Sequence, residues 1–93
     1  MTNTPEQIRF QPGSIVTTLG ALEVATHEQI AAMLARHLSG DWGEVDREDA
    51  AENERALKQG ERLMSVYDVN GEKLWVVTEA DRSSTTVLTP GEY

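Results

Sequence analysis

The stretch ERLMSVYDVNGEKLWVVTE, Glu61 to Glu79, decides the fold. Asn70-Gly71 is the preferred central pair of a type I′ turn, because both residues tolerate positive φ, and it sits between two runs rich in β-branched and aromatic residues. A two-residue loop there sets the register. Asp68 then faces Lys73, Arg62 faces Glu79, Val66 meets Trp75 and Met64 meets Val77. Two opposite-charge pairs and two apolar pairs fall into line together, as a real cross-strand ladder requires.

The pattern extends outward from this hairpin. A turn at Ala80–Ser83 returns the chain through Ser84–Thr89, with Thr85 opposite Thr78 and Leu88 opposite Trp75, and Pro90 closes the sheet while Gly91-Glu92-Tyr93 trail off. Upstream, Asp46 is an N-cap with Glu48 and Asp49 in the first turn, where acids complement the helix dipole. That helix runs to about Gln59 and ends at Gly60, with a thin inner stripe of Ala50, Asn53, Ala56 and Leu57. Before it, Thr26 and Gln29 have capping-box spacing. Ile30, Met33, Leu34, His37 and Leu38 follow at helical intervals, and Ser39-Gly40 supplies the stop. Thr18 caps a brief helix over Leu19–Ala25, and Ser14–Thr18 is a short β-branched strand. Met1–Pro12, polar and carrying two prolines, reads as a loosely ordered arm.

The expected fold is therefore α+β: a short N-terminal strand, two to three helices, then a three-stranded antiparallel meander. The sheet becomes four-stranded if the first strand joins it. Residues 13–93 make one domain. Both sheet faces carry apolar residues: Leu63, Tyr67, Leu74, Val76 and Val87 on one, Met64, Val66, Trp75, Val77 and Leu88 on the other. Only one can take the main helix. The short helices and the N-terminal segment are expected to cover the second, unless a partner or a second copy of the chain does.

Composition narrows the chemistry. Ninety-three residues without cysteine exclude a disulfide framework, a thiolate metal site and a thiol nucleophile, and suit a reducing cytoplasm. No apolar run approaches the roughly 20 residues of a membrane span. Sixteen acids against eight bases give a net charge of −8, a field that repels a phosphate backbone, so generic nucleic-acid binding is not expected. No cofactor motif and no metal-ligand spacing stand out.

Three clusters remain as candidate sites. Seven acids crowd Asp41–Glu54, and Glu44, Glu48, Glu52 and Glu54 form either a solvated helix face or a surface that docks a basic protein groove. Arg36-His37 lies at a helix C-terminus, where the dipole favours a protonated imidazole. The polar turn Thr78–Thr86 gathers Glu79, Asp81, Arg82 and five hydroxyl side chains around a tight reversal, suited to a phosphate or simply to the turn. Asp81 and Arg82 join the four glutamates as candidate partner-binding residues.

From His37 onward the chain resembles a family of small bacterial proteins carried on plasmids and integrative elements, described as plasmid-related. The matching pieces are Arg36-His37 with Gly40-Asp41-Trp42-Gly43, Ala56-Leu57 with Gly60, and Trp75–Ser83 continuing through Thr85–Leu88 to Glu92-Tyr93. The resemblance implies a mobile-element accessory protein of the bacterial cytoplasm and assigns no mechanism. Three functional readings follow. The first is a non-enzymatic protein-binding module, of an inhibitor or counter-defence kind. The second, by analogy of element order, is a small barnase-like ribonuclease using His37, Arg62, Glu79 and Arg82. The third is a structural homodimer formed on the spare sheet face.

Overall fold

A computed structural model describes residues 7–93. The elements are β1 (Ser14–Thr17), α1 (Leu19–Val24), α2 (His27–Leu38), α3 (Arg47–Gln59), β2 (Leu63–Val69), β3 (Glu72–Thr78) and β4 (Ser84–Leu88), followed by a 3-10 turn at Pro90–Glu92. The sheet order is β1-β4-β3-β2, with β1 parallel to β4 and the other pairs antiparallel. This is an α+β fold in which the first strand does join the sheet.

The hairpin adopts the expected register. Asn70 and Gly71 take φ of 53° and 83°, Val66 faces Trp75, and Met64 faces Val77. Lys73 pairs with Asp68 at 2.7 Å, and just past the strand ends Arg62 pairs with Glu79 at 3.1 Å. Thr78–Thr85 and Trp75–Leu88 are also opposed as expected. The Asn70 amide adds a tether that spacing does not reveal: its Nδ2 donates to the Val24 carbonyl at 2.8 Å, pinning the hairpin tip to the end of α1.

The helices all pack on one face. Tyr67, Leu74, Val76 and Val87 are buried there against Ala21 of α1, Ala25 at its C-cap, and Ile30 and Met33 of α2. The capping box of α2 forms between Thr26 and Gln29. In α3 Asp46 accepts from Asp49 N, Gly60 closes the helix at φ 73°, and Asn53 and Ala56 are its buried residues. Ala56, Leu63, Trp42 and Phe10 form a second apolar cluster at that end of the sheet.

Two expectations change. Residues 1–6 of the loose arm lie outside the described residues, but Arg9–Pro12 belong to the domain. Arg9 N donates to the Leu38 carbonyl, its guanidinium grips both oxygens of Glu54 at 2.8 and 2.9 Å, and Phe10 is buried. One aromatic side chain in a polar stretch is enough to anchor it. The second sheet face is also covered differently. The short helices and N-terminal segment add to the first face, whereas the C-terminus, instead of trailing off, turns back so that Tyr93 meets Trp75 edge-on at 5.3 Å. Val77 and Leu88 are buried on that face, and Met64, Val66 and Trp75 are half-buried. Glu92 fastens this turn by accepting from Thr18 Oγ1, Gly20 N and Thr89 N, which holds its carboxyl down at about 2.

Candidate functional site

The histidine of the Arg36-His37 cluster opens a polar chain through the core. His37, Ser65, Thr78 and Thr85 are fully buried. His37 Nδ1 lies 2.6 Å from Ser65 Oγ, His37 Nε2 lies 2.9 Å from Thr78 Oγ1, and Thr78 Oγ1 lies 2.7 Å from Thr85 Oγ1. Thr85 Oγ1 is in turn 2.8 Å from the Pro12 carbonyl. That carbonyl can only accept, so the three bonds leading from it back to His37 Nε2 have a fixed direction, and a neutral ring fixes the fourth. Thr85 donates to Pro12, Thr78 to Thr85, His37 Nε2–H to Thr78, and Ser65 to the bare Nδ1. The chain requires a proton on Nε2, and burial, which disfavours the charged ring, leaves Nδ1 bare and the imidazole neutral.

The protonated His37 expected from the helix dipole is not what the fold holds. Burial pushes the pKa down to about 4, helped by the nearby positive charge of Arg82. Desolvation outweighs the dipole because the ring has no exposed surface and both nitrogens are already engaged. Phe10 and Trp42 pack edge-on against it, at centroid distances of 5.3 and 5.8 Å.

The polar turn is chiefly a structural joint. Arg82, at φ 61°, donates to the carbonyls of Glu61 (2.6 Å), Glu79 (3.1 Å), Ala80 (3.2 Å) and Ala56 (3.3 Å). One guanidinium thus ties the end of α3 to the β3–β4 turn, where a planar fork matches diverging carbonyls. Asp81 accepts from Ser83 N, the local bond that shapes the reversal, and its carboxyl is held below the usual range by the Ser83 hydroxyl and amide. The four residues of the ribonuclease reading do not converge. Arg62 and Glu79 pair at the surface, Arg82 is spent on backbone, and His37 is enclosed. His37, Trp42, Thr78, Arg82 and Thr85 together hold this interior in place.

The acidic segment builds a groove. Residues 42–44 lie along the free edge of β2: Val66 N donates to the Trp42 carbonyl, Glu44 N donates to the Val66 carbonyl, and Gly43 forms a parallel bridge to Val66. Gly43 takes φ 78°, and a Cβ there would lie 2.0 Å from the Val66 oxygen, so only glycine fits. Tyr67 Oη donates to the Asp41 carbonyl at 2.6 Å and fixes the start of this segment. Between it and α3 opens a depression of about 390 Å³, with Glu44, Asp46, Asp49 and Glu52 around the partly exposed Val45, Met64 and Val66.

Of the four glutamates singled out from sequence, Glu44 and Glu52 line this groove, and Glu48 lines a second depression beside it with Arg55. Glu54 points the other way, into Arg9 and the indole N–H of Trp42. The β2 edge strip at 42–44, which creates the groove, was not legible in the sequence. Gly43 beside a turn-like Asp-Trp pair is its only signal.

Among the described residues no three His, Asp or Glu side chains converge as a metal site requires, and no helix is long and apolar enough to cross a membrane. Neither a family model, nor a curated protein, nor a solved structure matches the chain.

Proposed function

We propose that the chain is a non-enzymatic protein-binding module that receives a basic segment of its partner in the groove between α3 and β2. The observation that carries this reading is the pairing of four carboxylates with an apolar floor. A solvated acidic helix needs only the acids. A lysine or arginine needs both, because its aliphatic stem lies along apolar surface while its charged head seeks carboxylates. Val45, Met64 and Val66 suit the stem, and Glu44, Asp46, Asp49 and Glu52 suit the head. The net charge of −8 adds long-range attraction for a basic partner and speeds encounter. Resemblance to mobile-element proteins supports an accessory role in a bacterial cytoplasm, of the inhibitor or counter-defence kind. The ribonuclease alternative would require substrate to reach His37, which has no exposed surface.

The experiment is affinity capture from a bacterial lysate with mass spectrometry, followed by binding kinetics with the captured protein. Glu44→Gln with Glu52→Gln is expected to slow association and flatten its salt dependence, while Asp81→Asn, on the distant turn, leaves both unchanged. Equal kinetics for the groove variant and the unaltered chain would defeat the proposal.

A further inference from the structure

The two edges of the sheet are treated differently. The β2 edge is closed by residues 42–44 and by Asn53, whose amide bonds both the N–H and the carbonyl of Met64. The β1 edge has no neighbouring strand beyond it among the described residues. Ser14 N and Thr18 N donate to the carbonyls of Ser83, just before β4, and Val87 on β4. By the alternation of a strand, Ile15 and Thr17 therefore turn their N–H and C=O groups outward.

Edges of this kind are usually guarded by charge. Here no charged residue occurs from Phe10 to Leu22, in a chain where 26% of residues are charged. The large apolar side chains from β1 to Leu22 are also exposed: Ile15 by 50%, Val16 by 47%, Leu19 by 79% and Leu22 by 39%. Glu92, whose carboxylate reaches this stretch, is already bonded to Thr18 and Gly20. In a chain of net charge −8, this uncharged strip is where a second copy meets the least repulsion.

We propose that two copies of the chain associate through β1, pairing antiparallel about a two-fold axis at Val16 to make one continuous eight-stranded sheet. The register follows from which groups face outward. Ile15 of one copy lies opposite Thr17 of the other, so the two outward N–H and two outward C=O groups of each strand find partners. Val16 meets its own counterpart side by side on one sheet face, while Ile15, Leu19 and Leu22 gather on the helical side of the edge. This association uses neither the groove nor the Trp75 face.

The test is sedimentation equilibrium of the full chain from about 1 µM to about 500 µM, a range that captures a small interface. The dimer fraction is expected to rise across it. Val16→Lys places two ammonium groups together at the axis. Thr17→Pro removes an outward N–H that β4 does not use, and an edge strand accepts proline at such a position. Each is expected to raise the dissociation constant at least about tenfold, the equivalent of one lost interaction of moderate strength. The near-ultraviolet circular dichroism should not change. Because the chain has no cysteine, Val16→Cys gives a clean second readout: mild oxidation should link two copies, and Asp81→Cys should not link them. A chain that stays monomeric at the top of the range overturns the proposal. So does a dimer indifferent to Val16→Lys and Thr17→Pro, or one cross-linked equally from position 81.

Discussion

The Asn53 side chain stands in for a missing strand beside Met64: its Nδ2 donates to the Met64 carbonyl at 2.8 Å and its Oδ1 accepts from Met64 N at 3.2 Å. Asn53 is buried, so in the folded chain it, and not water, partners both backbone groups. Asn53→Ala is expected to cost about 2–3 kcal/mol, two orphaned backbone groups at roughly 1–3 kcal/mol each with partial relief from entering water. Asn53→Asp keeps an acceptor for Met64 N but sets a carboxylate against a carbonyl, and should cost more than Asn53→Ala at neutral pH. Urea unfolding of the two variants checks the order. Aspartate proving the milder change would show that the donated bond is not what holds α3 to the edge.

His37 makes stability depend on pH. Its pKa falls from 6.5 to about 4 on folding. Below about pH 6.5 the unfolded chain takes up a proton that the folded chain refuses until about pH 4. The stabilisation is thus complete above pH 6.5 and is lost as pH falls toward 4, by roughly 3 kcal/mol at most. Between pH 6.5 and 5 the depressed carboxylates are still ionised in both states, so the slope there belongs mainly to this imidazole. Urea titrations across that interval are expected to show stability falling with pH, and the His37 ring resonances of the folded chain should stay those of a neutral imidazole. Titration of that ring near pH 6.5 in the folded state would contradict the buried arrangement.

Glu54 is set apart from the other acids of its helix. Its carboxylate accepts from the Trp42 indole at 3.1 Å and from Arg9, and both bonds hold its carboxyl below the usual range. Glu54→Ala is expected to cost about 1–2 kcal/mol, mostly through the buried indole N–H left without an acceptor. The ion pair itself is exposed and contributes little. Glu44→Gln and Glu52→Gln should each change stability by less than about 0.5 kcal/mol. Thermal melts followed by Trp fluorescence separate the two classes.

Asn70 carries two burdens at once, a φ of 53° and the bond to Val24. Asn70→Gly should cost about 1 kcal/mol for the lost bond, and Asn70→Ala about 2 kcal/mol because alanine also resists the left-handed region. Equal stability of the two variants would mean that the turn does not impose that backbone geometry in solution.

The antiparallel half of the fold was legible because its information is local. Asn70-Gly71 names the turn type, and pairs such as Asp68–Lys73 test the register within a few residues of it. The parallel pairing of β1 with β4 has no such signal, since no turn joins the strands and Ser14 meets Ser84 across nearly the whole chain. His37 was correctly placed at the edge of an inner stripe, but its protonation depends on burial by Phe10 and Trp42, which spacing does not measure. The register sets Thr78 opposite Thr85, but their burial is not visible in the sequence, because threonine suits a strand on either face. The groove followed only in part: its acids were visible, whereas its floor required residues 42–44 to join β2.

The parallel ladder between β1 and β4 has a consequence for synthesis. The ribosome delivers Ser14–Thr17 early and Ser84–Leu88 late, so β1 must wait, with Ile15 and Val16 uncovered, while all three helices and the hairpin emerge. Pairing across such a separation is the slow part of folding, and the waiting strand is open to neighbouring nascent chains. The meander can close without it; the sheet cannot. Arrested chains that end before Ser84 should therefore display β1 to proteases, and its protection should appear only once Leu88 has left the exit tunnel. Protection at earlier arrest points would show that something other than β4 shelters the strand during translation.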